Sequence, residues 1–150
     1  MGLDMYLNAK RYLWSWQDES EDKKIANEIQ KTANIPDGFK VKQIEIEVGY
    51  WRKANQIHRW FVQNVQDGED DCGYYSVSKQ DLIDLRDLCK KIVENKELAA
   101  TELPTESGFF FGNTEYDDWY YQDLAETIEI IDKALTLDHH QWDFEYHSSW

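Results

Sequence analysis

Cysteine is nearly absent: Cys72 and Cys89 are the only two, at no metal-like spacing. That excludes a disulfide-stapled scaffold and a cysteine zinc site, and suits reduced intracellular thiols. Long apolar runs are missing too, and nothing approaches the ~18 residues of a membrane span. The start, MGLDMYLNAKRYLW, has no basic stretch followed by an apolar one, so no secretory leader is expected. Both absences point to a cytoplasmic protein that does not enter a membrane. Positive charge is scarce, 16 Lys and Arg against 30 Asp and Glu, and the net charge of −14 repels nucleic-acid backbone. Catalytic signatures are also lacking: there is no G-x-S-x-G, no P-loop and no dinucleotide glycine fingerprint. The sequence therefore nominates no catalytic residue and no cofactor.

What is abundant is aromatic. Seven Trp, nine Tyr and six Phe in 150 residues argue for one globular domain spanning 1–150, despite a mean hydropathy of −0.77. Leu3, Met5 and Leu7 alternate with polar neighbours as a strand, and Tyr12, Trp14 and Trp16 extend it or form a second. A helix is expected over about 22–32, stopped at Asn34-Ile35-Pro36-Asp37-Gly38. Phe39–Val48 reads as a strand, and Tyr74–Val77 as a short one. Ser78-x-x-Asp81 resembles a capping box opening a helix to about Asn95. A long helix over 117–137 and a strand at Trp142–Tyr146 complete an α+β domain, a small mainly antiparallel sheet carrying three to four helices.

Within this acidic chain, Gly49–Gln66 (GYWRKANQIHRWFVQNVQ) contains no Asp or Glu. A gap this long arises by chance about one or two times in a hundred at a given place. It reads as a helix following a strand and a glycine, with Arg52, Lys53 and Arg59 displayed on it. Free amides at such a helix start would face an anion. Arg52 and Lys53 would pair with phosphates, Tyr50 or Trp51 would stack, and Asn55 would read a base or ribose edge. His58 falls on the buried face, where a structural histidine bonded to a carbonyl outweighs a general base. The second candidate is Ser107–Asp117 (SGFFFGNTEYD). Three consecutive Phe cannot all enter one core, so one of them, with Phe111 the candidate, faces a pocket or partner beside Asn113, Thr114 and Tyr116.

Asp70, Asp71, Asp117 and Asp118 are weaker carboxylate candidates, and Asp117/Asp118 suit a helix N-terminus on dipole grounds alone. His139, His140, Asp143, Glu145 and His147 lack metal-site spacing, so no metal is assigned. Cys72, set among acids, reads as structural.

The motifs MGLDMYL, GYWRKANQIHRWF and GFFFGNTEYD resemble a family of small acidic bacteriophage and prophage proteins. The resemblance covers nearly the whole chain and is densest at 1–7, 49–73 and 107–121. It implies a phage setting and, by analogy with other accessory proteins, a role in countering host defence. Together with the basic helix, it favours a non-enzymatic binder that sequesters an anionic, nucleotide-derived small molecule. The alternative is an acidic inhibitor or DNA mimic docking on a host defence protein, and a third reading is a small nucleotide hydrolase. Exposed aromatics would be compatible with a homo-oligomer.

Overall fold

In the computed structural model, which describes residues 2–150, alternation of apolar and polar side chains builds one four-stranded sheet. Its strands are β1 (Asp4–Tyr12), β2 (Gln43–Arg52), β3 (Tyr74–Val77) and β4 (Asp143–Ser149), all antiparallel, in the order β2-β1-β4-β3. The helices are α1 (Glu21–Thr32), α2 (Asn55–Asn64), α3 (Lys79–Glu94), the four-residue α4 (Ala99–Glu102) and α5 (Asp118–Ala134). This is the α+β domain that the sequence predicts. No helix among the described residues is long and apolar enough to cross a membrane.

One face of the sheet is the core wall. Met5, Leu7 and Ala9 of β1 lie opposite Ser148, Tyr146 and Phe144 of β4, and all are buried. Gly49 sits on this face against α5. A Cβ added there would lie 2.3 Å from Ile130 Cγ2, so the strand and helix approach more closely than any side chain permits. Val48 is the extra residue of a bulge: Leu7 pairs with Gly49 and Asn8 with Glu47. Phe61 of α2 stacks on Tyr146 at 3.9 Å between centroids, and α3 and α5 pack on each other to close the core.

Local signals explain the helix ends. Ser78 accepts from Asp81 N while the Asp81 carboxylate accepts from Ser78 N, so the predicted capping box is formed with Asp in place of Glu. Asp117 caps α5 by accepting from Tyr120 N. Ser20 caps α1, and the Arg11–Asp22 ion pair at 3.0 Å ties that helix to the end of β1.

Two boundaries differ from expectation in ways that matter. The strand predicted to end at Val48 runs on to Arg52, because it pairs with the N-terminal strand as far as Asp4. The acid-free segment is therefore half strand and half helix, and α2 begins at Asn55 rather than after Gly49. Between them Lys53 turns the chain with φ +57°, in the left-handed region, its N–H donating to Leu3 O at 2.8 Å. The other difference is β1, which stops at Tyr12, leaving Trp14 and Trp16 exposed beyond it.

Candidate functional site

The corner between β2 and α2 meets the loop of residues 105–117 and the start of α5, and these enclose a cleft of about 340 Å³. Its walls include Arg52, Lys53, Gln56, Gly112, Asn113, Asp117, Trp119, Tyr120 and Asp123. That volume lies at the low end of small-molecule sites.

The loop is held by the buried side chain of Asn55. Its Nδ2 donates to Phe111 O at 3.0 Å and Asn113 O at 2.9 Å, while its Oδ1 accepts from Glu106 N at 2.9 Å. Thr105 adds an Oγ1–H bond to Thr114 O and a backbone N–H bond to the Tyr116 hydroxyl. Leu3 N donates to Phe110 O, tying the loop to the chain entering β1. Gly112, at φ +87°, lies directly against Lys53: a Cβ there would come within 3.2 Å of Lys53 Cβ. The close approach and the left-handed backbone both call for glycine at this position.

Charges of both signs share the cleft. Arg52 and Lys53 are exposed, and neither forms an ion pair among the described residues. Opposite them stand Glu115, Asp117 and Asp123. Asp123 Oδ2 accepts from Gln56 Nε2 at 3.0 Å but has no cationic partner among the described residues. Burial pushes its carboxyl up to about 6, with nearby Glu126 and Asp117 adding to the rise and the Gln56 hydrogen bond opposing it. The Trp119 indole is exposed beside these groups, whereas Tyr120 is buried with its hydroxyl donating to Leu103 O at 2.7 Å.

The residues nominated from sequence divide between several places. Arg52, Lys53, Asn55 and Asn113 line the cleft. Asn55, however, is only 2% exposed and uses both ends of its amide on the loop, so it shapes the wall rather than reading a ligand. Trp51 is not a stacking platform: it is buried, and its Nε1–H donates to Thr127 Oγ1 at 2.9 Å. Phe111 is the Phe of its trio that enters the core, while Phe109 is 95% exposed. Thr114 and Tyr116 serve the loop's internal bonds. Tyr50 lies on the opposite face of the sheet and donates to Asp4. The start of α2 is no open anion cradle either, since Asn55 N donates to Lys53 O and both Asn55 and Gln56 are buried.

His58 and Arg59 belong to a separate cavity of about 280 Å³, lined also by Val62, Gln63, Gly68, Asp70 and Glu106. His58 Nδ1 lies 2.7 Å from the Tyr146 hydroxyl and Nε2 3.0 Å from Asp70, so its partners are a phenol and a carboxylate rather than a carbonyl. A tautomer protonated at Nε2 satisfies both contacts, with Tyr146 donating, because burial drives the phenol far from ionising. Arg59 pairs with Glu106 at 3.1 Å. Among the described residues, Asp138, His139 and His140 bring three potential metal-ligand atoms within 4.8 Å of one another, all on an exposed turn.

Gln56, Trp119 and Asp123 are not nominated by the sequence, whose helical periodicity sets Gln56 with Arg52, Arg59 and Gln63 on the side opposite the apolar face; Gln56 is instead buried. Trp119 and Asp123 are four apart and therefore share a face of α5. That spacing is the one signal that was available for them. No protein-family model matches the chain, and no curated protein or solved structure matches it.

Proposed function

We propose that this protein is a binder of a small nucleotide-derived molecule, held in the cleft between Arg52/Lys53 and Asp117/Asp123. The observation that carries the reading is Asp123, a partly buried carboxylate on the cleft wall that accepts from Gln56 and has no cationic partner among the described residues. Such a group is maintained where a ligand supplies the missing partner. Arg52 and Lys53, without an ion pair among the described residues, suit phosphate oxygens. The carboxylates opposite suit the amino and imino edge of a base, and the Trp119 indole offers a stacking face. An anion bearing no donors fits poorly, because three carboxylates would repel it. In the phage setting that the sequence motifs suggest, holding such a molecule would withdraw a host defence signal.

Native mass spectrometry tests this, on protein purified from a bacterial host and after incubation with cyclic and linear nucleotides. A stoichiometric adduct is expected. In the double variant R52A/K53A it should weaken by at least about tenfold, the scale of one charge-assisted hydrogen bond. Ligand-free spectra with every nucleotide would overturn the proposal. One feature favours chemistry instead: Asp123 lines the cleft with its carboxyl pushed up to about 6 by burial, which suits a general base. Product masses appearing in the same spectra, and lost in D123N, would identify a hydrolase.

A further inference from the structure

The sheet has a second face that no helix supplies with a core. Strand pairing aligns Tyr50 with Tyr6, Tyr6 with His147, and His147 with Tyr74, so one row of rings crosses all four strands. The row is continuous: Tyr6 lies 5.4 Å from Tyr50 and 6.0 Å from His147 between centroids, and His147 stacks on Tyr74 at 4.0 Å. Tyr74 is 64% exposed and Tyr50 42%, so the rings present their edges and faces to solvent.

Around the row the same register places Asp4, Glu45, Glu47, Asp143 and Glu145, against Lys10 and, at the rim, Arg52. Lys10 is already neutralised by Glu145 at 2.9 Å. Its ammonium also lies 5.9 Å from the centroid of the Tyr74 ring. The face's own internal cation is thus held by a carboxylate and an aromatic ring together. Further cations arriving from outside would meet the same two groups at Tyr50, Glu45 and Glu47.

We propose that this face docks an arginine-rich segment of a protein partner. Guanidinium groups stack on aromatic faces and fork onto carboxylates, which matches a ring row flanked by acids. The net charge of −14 steers a basic segment toward the molecule and opposes both nucleic acid and a second copy of this chain. This surface shares only Arg52 with the cleft, and the proposal stands without the ligand reading.

The test is fluorescence anisotropy with fluorescein-labelled nona-arginine and nona-lysine at physiological salt. Nona-arginine should bind more tightly than nona-lysine. Y50A/Y74A, which leaves net charge unchanged, should weaken nona-arginine about tenfold, the scale of two lost cation–π contacts. E45Q/E47Q, which keeps hydrogen-bonding capacity and guards against misfolding, should do likewise. E97Q/E129Q, the same charge change at exposed positions outside the sheet, should cost less than about twofold after screening. Equal losses for the two glutamate pairs, or full binding by folded Y50A/Y74A, would reduce the effect to bulk charge and overturn the proposal. So would a dimer in sedimentation that buries this face.

Discussion

Replacing Asn55 by Ala removes three hydrogen bonds that converge on the 105–117 loop from one buried amide. The bond to Phe111 O is fully buried, while those to Asn113 O and Glu106 N are partly so. An orphaned buried group costs about 1–3 kcal/mol, whereas a group that rehydrates loses only the net bond, about 0.5–1.5 kcal/mol. One loss of the first kind and two of the second give roughly 2–6 kcal/mol. In a domain of this size each kcal/mol lowers Tm by about 2–4 °C, so N55A should melt about 4–24 °C below the parent. Chemical denaturation should show the loss with little change in m, and hydrogen exchange should accelerate at residues 106–116. Ligand affinity should fall with it, because Gly112 and Asn113 form a wall of the cleft. N55D sharpens the test. It keeps an acceptor for Glu106 N but sets a charge against two carbonyl oxygens, so it should be at least as unstable at pH 7 and recover as the carboxyl protonates. If N55A is within about 0.5 kcal/mol of the parent and loop exchange is unchanged, the bonds are not what holds the loop, and the reasoning fails.

Two other perturbations follow from the same geometry. Asp123 is raised from 3.8 to about 6 in the folded state, so between those values the folded protein binds more protons than the unfolded one, and stability falls as pH rises. D123N should match the parent below pH ~4 and gain on it through pH ~6, ending more stable by about 1–2 kcal/mol at pH 7–8 once partial hydration at the cleft is discounted. Denaturation midpoints across that range check this, and a constant difference between the two proteins would refute it. G49A should cost about 1–3 kcal/mol, because its methyl meets Ile130 of α5. The double variant G49A/I130A, which removes the Cγ2 that the new methyl meets, should lose less than the sum of the two single variants, and two additive losses would refute the contact.

Why the fold was more legible than the site is a matter of range. Capping at Ser78, alternation in β1 and β4 and the turn residues after α1 act over a few positions, and each was readable where it stood. The end of β2 was not, because what extends that strand to Arg52 is pairing with Asp4, 48 residues earlier in the chain. Reading Gly49 as a strand stop gave it a local role, whereas its role is to admit Ile130 from a helix 81 residues later. The same shift in boundary took Trp51 out of the site and into the core. Lys53 keeps its place in the cleft only because the left-handed turn there redirects the chain before α2 begins. The absence of acids from 49–66 did mark where two of the cleft's cations lie. What it left out is the opposing half: Trp119 and Asp123 sit on a helix whose apolar stripe, Tyr120, Leu124, Thr127 and Ile131, explains α5 without them. Polar residues on the flank of an amphipathic helix resemble ordinary surface until the element facing them is known. Here that element is Gln56, whose amide bonds both Tyr120 O and Asp123 and so binds the start of α2 to the start of α5. A polar side chain buried on a helix face that periodicity assigns to solvent is the physical sign that two elements meet there, and at this junction it lies directly on the wall of the cleft.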